Sequence, residues 1–428
     1  QTSIFKPTVY CYKSTKKKVI AGIQRNTAIS GSLQKMHSIS SIRAILVLII
    51  LFTFAFPEAR SFAAKRISKG SLGGPKSAGS ASGFGAKPPT TSHKPDTSET
   101  TLELLRFLKL NKAQGLHDVD IAFDPKTGVR GLFANRNFKK GQILFKIPSD
   151  CALALSDPAK NGEDAPTLVH CGANFLTMYE KSPSARQLWA PYLDTLPQKE
   201  SAQFDATPDF FTDEELELLE FPRVIKLAKE RRENVNALAT ELEFSPEELQ
   251  FATWIASSRA FSLALSVSPT PTKEDPTVDE RGQIITKAGI QKVVRVLVPF
   301  IDMANHHDQP NARLQLIDPE KDDAFFALEA IRPISMGKEI TIAYGNGLES
   351  SVELLLNYGF VPQTNQIDTF MLKKGDDEVI KNLNDWTTTL EEDKTMLTML
   401  QDSGDNETLQ TILKFRIRLK ESYISGQD

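Results

Sequence analysis

Cysteine is scarce in this chain of 428 residues, which contains Cys11, Cys151 and Cys171 and no others. None of the three belongs to a Cys-x-x-Cys pair, so the common structural zinc motifs are excluded. A chain of this length also buries enough apolar surface to fold without a disulfide framework. We therefore expect Cys151 and Cys171 to act as small buried hydrophobic residues.

Histidine and net charge are also low, with six histidines and a formal net charge of −3. A chain so close to neutrality carries no nucleic-acid footprint, and we expect no nucleic-acid partner. Acidic residues are nearly missing from the first ninety-odd positions, where Glu58 is the only one before Asp96. The length allows two or three domains, and the composition is that of an ordinary globular protein, which we expect to be monomeric.

Only one long hydrophobic run is found, AILVLIILFTFAF at 44–56. Met36, Arg43 and the small residues after the run complete the pattern of a secretory signal peptide, which predicts an extension and signal peptide at 1–61 with Met36 as the start. The run is shorter than the roughly 20 residues that span a bilayer, so we expect no stable membrane span in the mature protein. A signal anchor that stays in the membrane is the alternative.

The segment at 62–98 begins with Phe62 and is basic and rich in Ser, Gly and Ala. Its composition is similar to an organelle transit peptide, and together with the signal peptide it predicts delivery to a plastid bounded by extra membranes. A secreted protein with a flexible linker is the alternative. In either case we expect residues 1–98 to add nothing to the fold.

From Ser98 onward the pattern is that of a folded α+β protein. Helical spacing covers 99–110, and short strands separated by Gly turns follow at 119–123, 130–138 and 142–148, which predicts an antiparallel unit. The period is helical from 166 to 264, where Thr212 and Ser245 are predicted N-caps. Strands return at 293–300, 324–330 and 339–344, and the chain is helical again after Pro362. We thus predict a β-rich domain at 99–362 split by a helical insert at about 160–264, followed by a small helical region at 363–428.

Polar residues directly follow the buried strand in VVRVLVPFIDMANHH (Val293–His307). Pro299 ends the strand because it cannot donate a ladder hydrogen bond. Buried polar groups need partners, so Asp302, Asn305 and His306 have a structural or functional role. The residues alone allow turn caps, a cofactor pocket, or a metal site made with His307 and Asp308. We predict no metal, because no further histidine lies in this half of the chain.

Two aromatic positions follow this segment at the ends of predicted elements. Tyr344 ends the strand in GKEITIAYGNG (Gly337–Gly347). Ser350 and Glu353 form a predicted capping box, and Gly359 ends the helix, so Tyr358 and Phe360 emerge at its end. Ordinary core packing is the alternative for each aromatic residue.

The order of these three segments resembles the end of a SET methyltransferase domain, and Ser98–Asp428 resembles the Rubisco large-subunit methyltransferase family. Three upstream segments match the same pattern: GVRGLFA at 128–134, WAPYLDTLP at 189–197, whose role looks structural, and SSRAFS at 257–262. The resemblance implies a β-rich SET fold with a helical insert, a C-terminal helical region that binds substrate, and S-adenosylmethionine as the cofactor.

The resemblance also implies roles for individual residues. Tyr344 matches the catalytic tyrosine, and Tyr358 and Phe360 match the aromatic residues that line the channel for the substrate lysine. The implied cofactor-binding residues are Gly128, Val129, Arg130, Ser258, Arg259, Asp302, Asn305, His306, Tyr344 and Phe360.

The expected activity is lysine N-methylation of a non-histone protein, with a plastid protein as the expected substrate. Two positions depart from the family pattern: His307 stands where a serine is frequent, and Leu263 and Leu265 occupy a region that often carries a basic residue. The alternatives are a protein-histidine methyltransferase and a catalytically idle SET-like module that binds a partner protein.

Overall fold

The computed structural model describes residues 93–427, except 157–166, 200–203, 205, 267–276, 279–283, 286–290, 319–322, 346, 374–384 and 405. The predicted signal peptide and most of the transit-like segment lie outside the described residues. The α-helices are α1 (Glu99–Leu110), α2 (Leu168–Phe175), α3 (Pro183–Leu193), α4 (Asp213–Leu218), α5 (Pro222–Leu242), α6 (Pro246–Arg259), α7 (Ser351–Tyr358), α8 (Gln366–Lys373), α9 (Leu390–Ser403) and α10 (Glu407–Gln427).

The strands are short, as the frequent turn signals predict. They are β1 (Lys94–Pro95), β2 (Val119–Phe123), β3 (Arg130–Ala134), β4 (Ile143–Pro148), β5 (Leu153–Ala154), β6 (Phe261–Ser266), β7 (Thr277–Val278), β8 (Ile284–Ile285), β9 (Gln291–Leu297), β10 (Asn305–His306), β11 (Ala312–Ile317), β12 (Phe325–Ala330) and β13 (Glu339–Ile342). They form sheets in the orders β1-β2-β3-β13-β10, β11-β12-β4, β5-β9-β6 and β7-β8.

The five-stranded sheet brings distant parts of the chain together. Strand β13 pairs with β3 antiparallel and with β10 parallel. The antiparallel pair of β2 and β3 is confirmed. The prediction that β4 completes the same unit is wrong, because β4 pairs with β12. Strands joined by a short turn often pair with each other, but they do not have to. Here the chain crosses to a second sheet after β3.

The helical insert ends earlier than predicted. Helix α6 stops at Arg259, and Phe261–Ser266 forms β6, which pairs antiparallel with β9. The predicted caps are confirmed: Thr212 and Glu215 form a capping box on α4, and the Ser245 hydroxyl accepts a hydrogen bond from the backbone N–H of Glu248 on α6. Apolar side chains between 261 and 264 fit a buried strand as well as a helix, so their spacing alone cannot separate the two.

The N-terminal boundary is also different from the prediction that residues 1–98 lie outside the fold. Lys94–Pro95 pairs antiparallel with β2, and the buried His93 ring stacks on Phe133 at 4.8 Å between centroids. The Asp96 carboxylate lies 3.1 Å from the Arg130 guanidinium, an ion pair that is about nine-tenths buried on both sides. Residues 93–98 therefore belong to the folded domain.

The C-terminal helices pack on the insert through a second apolar cluster, to which Phe221, Leu355 and Phe415 belong. Buried charges also join the last two helices to each other. Asp393 of α9 lies 3.1 Å from Arg416 and 2.5 Å from Lys420, both on α10. A buried carboxylate is tolerated only with such partners. None of the helices among the described residues is long and apolar enough to cross a membrane.

Candidate active site

The segment after β9 turns sharply before it reaches the predicted site. The strand ends at Leu297, as Pro299 predicts, and Phe300 takes a φ of 73°, which bulky residues rarely adopt. Phe300 is fully buried and packs edge-on against Phe145 at 4.8 Å. A short 3-10 turn at Ile301–Met303 then leads into β10. Core packing of Phe300 therefore sets the direction in which β10 enters the sheet.

Asn305 connects three strands through its side-chain amide. Its Nδ2 donates to the Arg130 carbonyl at 3.0 Å and to Glu339 Oε1 at 2.8 Å. These bonds require Gly131, because a Cβ there would lie 2.7 Å from both Asn305 Nδ2 and Glu339 Oε1. Burial raises the pKa of the Glu339 carboxyl, and the bond from Asn305 opposes this. The amide therefore stabilises the backbone around Arg130-Gly131.

His306 lies beside the predicted catalytic tyrosine. Its Nδ1 accepts a hydrogen bond from the backbone N–H of Tyr344 at 3.0 Å, so the proton of the neutral ring is on Nε2. Burial lowers the pKa of His306 to about 4, and the nearby charges of Asp308 and His307 modify this value. The imidazole is thus neutral at physiological pH and behaves as a hydrogen-bonding aromatic ring.

The Tyr344 hydroxyl is fixed by the backbone. It donates to the Ala304 carbonyl at 3.1 Å, directly before Asn305. The ring lies 4.6 Å from that of Tyr358, whose hydroxyl accepts a hydrogen bond from the Gly345 N–H at 3.1 Å. Burial raises the pKa of Tyr358 to about 12, so this hydroxyl keeps its proton.

Phe360 completes the group at the end of α7. The helix begins at Ser350 with the predicted capping box to Glu353 and ends at Gly359, whose φ is 82°. Only a residue that tolerates a positive φ can end the helix this way, so Gly359 sets the direction of Phe360. The Phe360 ring lies 5.8 Å from His306 and 6.2 Å from Tyr344.

We call His306, Tyr344, Tyr358 and Phe360 the aromatic cluster. Their rings are 4.6 to 6.3 Å apart and come from β10, the end of β13 and the end of α7. Such a group excludes water and offers few titrating protons. It is an environment in which an apolar or cationic group can be held and desolvated.

Asp302 is buried against Tyr192 and Arg259 and not against the rings of the aromatic cluster. Its side chain is fully buried, accepts a hydrogen bond from the Tyr192 hydroxyl at 2.8 Å and lies 3.5 Å from the Arg259 guanidinium. Burial raises its pKa, and Arg259 is the main opposing influence. Asp302 therefore holds Arg259 in place, and its predicted contact with the cofactor stays a prediction.

Arg259 and Arg130 approach the site from two sides. Arg259 Nη1 donates to the Asp302 carbonyl at 3.3 Å, and its buried Nε has no hydrogen-bond partner among the described residues. Arg130 pairs with Asp96 and donates to the Thr101 hydroxyl at 2.9 Å and the Thr195 carbonyl at 3.3 Å. Its guanidinium is therefore structural, and only its backbone carbonyl reaches Asn305.

Three other predicted residues are not drawn into the aromatic cluster. Val129 is 52% exposed, and Gly128 has a φ of 71° with open space where a Cβ would stand. The Ser258 hydroxyl donates to the Trp254 carbonyl of its own helix at 2.7 Å. Their predicted contacts with the cofactor stay predictions.

The alternative metal site finds no support in the geometry. No group of three or more His, Cys, Asp or Glu in the described part of the chain could hold a metal ion. His307 points to its neighbour Asp308, with 2.8 Å between Nδ1 and Oδ1. Cys151 and Cys171 are buried free thiols, as predicted, and burial raises the pKa of Cys151 to about 12 and of Cys171 to about 11.

Sequence reasoning missed three residues that organise the site: Gly131, Tyr192 and Glu339. Tyr192 lies in the 189–197 segment, whose predicted structural role is confirmed by its bond to Asp302. Gly131 and Glu339 are adjacent only through the pairing of β3 with β13. No local pattern marks a contact of this kind.

Comparison with known proteins assigns the fold. A family model described as the SET domain matches residues 129–345, about half of the chain. The crystal structure of the SET domain of LSMT bound to lysine and AdoHcy superposes with a TM-score of 0.51 at 14% identity, over 78% of this chain and 92% of that chain. The complex with methyllysine and AdoHcy gives a TM-score of 0.52 at 13% identity. At these identities the likeness shows the fold, and the predicted α+β SET architecture is confirmed.

Two curated proteins are similar in sequence. SET domain-containing protein 4 of Homo sapiens is 27% identical over 276 residues, which cover 61% of this chain and 58% of that protein. Protein SET DOMAIN GROUP 40 of Arabidopsis thaliana is 24% identical over 278 residues, 59% of this chain and 54% of that protein. The chain thus spans somewhat more than half the length of the curated relatives it matches. With its own central half matching the family model, the chain belongs to the SET-domain family.

Proposed function

We propose that this protein is an S-adenosylmethionine-dependent protein-lysine N-methyltransferase. The observation that carries the proposal is the aromatic cluster, which brings Tyr344, Tyr358 and Phe360 against His306 in a SET fold. The structural neighbours bound to lysine or methyllysine and AdoHcy support the same activity. Membership in the SET family supports methyl transfer in general, and the choice of lysine is our inference.

The residues around the cluster fit the cofactor. A guanidinium with an unpartnered buried Nε, that of Arg259, suits the carboxylate of its methionine part. The open space beside Gly128 leaves room for a ligand next to the turn that precedes β3. Asn305 and His306 would hold the adenosine side through their backbone, because the side chain of His306 is already bonded to Tyr344.

The bound cofactor supplies a methyl group on a positively charged sulfur. When it is transferred, the carbon–sulfur bond breaks as a bond forms to the lysine nitrogen, and the lysine must first have lost a proton to solvent. The chain's own residues contribute position and environment. Tyr344 and Tyr358 would align the amine, and the desolvated aromatic cluster would lower the lysine pKa from its ordinary value of about 10.4.

A radiolabel assay tests this function. The full chain is incubated with methyl-labelled S-adenosylmethionine and a cell extract, and labelled residues are identified by mass spectrometry. We expect N-methyllysine. Labelled histidine would replace the proposal with the histidine alternative, and a lack of S-adenosylmethionine binding in calorimetry would favour an idle binding module.

The substrate class and location are further parts of the proposal. The basic segment at 62–98 after a signal peptide supports import into a plastid, where the substrate would be a non-histone protein. Fusion of residues 36–98 to a fluorescent protein tests this directly. Fluorescence in plastids would support the proposal, and fluorescence in the medium or the cytosol would contradict it.

A further inference from the structure

Strand β13, which leads to Tyr344, is bonded differently along its two edges. On one edge it pairs antiparallel with β3, through Glu339 and Ile340. On the other edge lies the two-residue strand β10, whose register with β13 begins only at Thr341. The carbonyl of Glu339 on that edge therefore lies beyond β10. Backbone groups of a buried strand need partners, so this part of the edge depends on another segment.

Asn311 supplies the bonds that β10 is too short to make. Its side-chain Nδ2 donates to the Glu339 carbonyl at 2.7 Å, and its Oδ1 accepts from the Thr341 N–H at 2.9 Å. Its backbone N–H donates to the Thr341 carbonyl at 3.2 Å. A side-chain amide has both a donor and an acceptor, so one residue makes the contacts that a neighbouring strand would make.

The same residue joins β13 to the second sheet. Asn311 directly precedes β11, and its carbonyl accepts a hydrogen bond from the Ile331 N–H at 2.9 Å, directly after β12. Strands β11 and β12 pair antiparallel without interruption from Ala312 to Ile317. Asn311 therefore ties the beginning of β13 to a regular ladder.

The bonds along this edge of β13 continue to Tyr344. The His307 N–H donates to the Ile342 carbonyl at 3.0 Å, and the Tyr344 N–H donates to His306 Nδ1 at 3.0 Å. The Tyr344 hydroxyl then donates to the Ala304 carbonyl at 3.1 Å. A shift of β13 along its axis would therefore move Tyr344 relative to β10.

We propose that Asn311 is a positioning residue for methyl transfer, which fixes β13 along its axis and so places the Tyr344 hydroxyl in the aromatic cluster. The inference rests on the proposed function, in which Tyr344 aligns the substrate amine. Transfer requires a precise approach of the two reacting atoms, and a displacement of about 1 Å can slow such a step by about 100-fold. An asparagine that only stabilises a turn is the competing explanation, and variants distinguish the two.

Asn311→Asp removes one of the two side-chain bonds. It keeps the acceptor for the Thr341 N–H and puts an oxygen in place of the donor to the Glu339 carbonyl. We expect the rate of label transfer from saturating S-adenosylmethionine to the proteins of a cell extract to fall about tenfold. The Kd of S-adenosylhomocysteine, measured by calorimetry, should stay close to the wild-type value.

Asn174→Asp is the matched control. The Nδ2 of Asn174 on α2 donates to the Leu155 carbonyl at 2.9 Å, and Asn174 is partly buried, as Asn311 is. Both variants should lower the midpoint of urea unfolding by a similar amount, but Asn174→Asp should keep the wild-type rate. Asn311→Ser and Asn174→Ser repeat the comparison without an added charge, which covers the case in which an Asp variant does not fold.

A double-mutant cycle with Tyr344→Phe tests whether Asn311 acts through Tyr344. Asn311→Asp should slow the Tyr344→Phe protein by a smaller factor than it slows the wild type. Factors that multiply, as they do for independent residues, would overturn the inference. Equal rates for Asn311→Asp and Asn174→Asp would also overturn it.

Hydrogen exchange provides a measurement that does not require turnover. The Tyr344 N–H, followed by mass spectrometry of peptides from residues 339–345, should exchange faster in Asn311→Asp than in Asn174→Asp. Equal exchange would contradict the positioning role. A wild type that transfers no label contradicts the proposed enzyme, and the exchange result then decides by itself whether Asn311 places Tyr344.

Discussion

The imidazole Nδ1 of His306 accepts a hydrogen bond from the backbone N–H of Tyr344 at 3.0 Å. This bond joins two segments that are 38 residues apart in the chain, at the point where β10 lies parallel to β13. It fixes the orientation of the ring and leaves Nε2–H as the donor. Predictions about either residue therefore concern one structural unit.

Replacement of Tyr344 by Phe should distinguish a role of the Tyr344 hydroxyl in methyl transfer from a role in protein stability. The change removes the hydroxyl that donates to the Ala304 carbonyl at 3.1 Å but leaves the ring in contact with Tyr358. We expect kcat for methyl transfer to fall by about 100-fold, the order seen when one positioned donor is removed from an active site. Peptide binding should change little, because the ring packing is retained.

Tyr179→Phe is the matched control for this variant. The Tyr179 hydroxyl also donates to a backbone carbonyl, that of Ala154, at 3.0 Å. Both variants should lose about 1 kcal/mol of unfolding free energy in urea titrations. Equal kcat values for the two variants would show that Tyr344 has only a structural role.

The neutral state of His306 predicts a pH-dependent stability. Its pKa is lowered from 6.5 to about 4, so the unfolded chain takes up this proton before the folded protein does. The free energy of unfolding should therefore fall as the pH drops from about 6.5 to about 4. His306→Asn, which keeps an acceptor for the Tyr344 N–H, should lack this part of the slope.

The measurement is urea unfolding at pH 7.5, 6, 5 and 4.5, with His117→Asn as the control. The His117 side chain is 85% exposed, and its replacement should leave the slope as in the wild type. A His306→Asn variant with the full wild-type slope would mean that other groups account for the acid sensitivity.

Removal of Arg259 should lower the free energy of unfolding, because it leaves the buried Asp302 carboxylate without its positively charged partner. The Asp302 carboxylate would keep only Tyr192 as a partner, and an unpaired buried charge costs about 3 to 5 kcal/mol of unfolding free energy. Without the positive charge, the pKa of Asp302 should rise further above its ordinary value. The loss caused by Arg259→Ala should therefore be larger at pH 8 than at pH 5, since protonation relieves it.

Arg186→Ala is a suitable comparison, because Arg186 pairs with Glu180 and Asp194 at a partly exposed site. Arg186→Ala should lower the free energy of unfolding by at most about 1 kcal/mol, and this decrease should depend little on pH. Similar losses for the two variants would indicate that the Arg259–Asp302 pair is solvated and contradict its burial.

A side chain at Gly131 should displace the Asn305 amide from its present contacts. In Gly131→Ala the new Cβ would meet Asn305 Nδ2 and Glu339 Oε1 at 2.7 Å, so the amide must leave the Arg130 carbonyl. We expect a loss of about 1 to 3 kcal/mol of unfolding free energy. We also expect a weaker affinity for S-adenosylmethionine, measured by calorimetry.

The comparison is Gly404→Ala, where a Cβ meets nothing within 4 Å and only the φ of 72° opposes the change. That variant should lose about 1 to 2 kcal/mol from backbone strain, with cofactor affinity as in the wild type. Cofactor affinity that falls equally in both variants would contradict a special role for the Asn305 contact.

The sequence predicted local features well where one residue type has a single physical use. Ser350, Glu353 and Gly359 defined α7 at both ends, and Pro299 marked the end of β9. The prediction was wrong for β6, because a helix and a buried strand share the same apolar spacing there. It was also wrong for β4, which pairs with a strand far away in the chain. It also placed the fold boundary after Asp96, whose partner Arg130 is 34 positions away.

By itself, the sequence determined the SET-type order of segments and the residues Asn305, His306, Tyr344, Tyr358 and Phe360 as one candidate site. It could do so because caps, turns and strand ends are local properties of the chain. Only the tertiary structure decided which atoms face each other: that the buried Asp302 carboxylate lies beside Arg259, and that Gly131 makes room for Asn305. Those facts depend on contacts between distant strands and on burial, which no short segment of sequence contains.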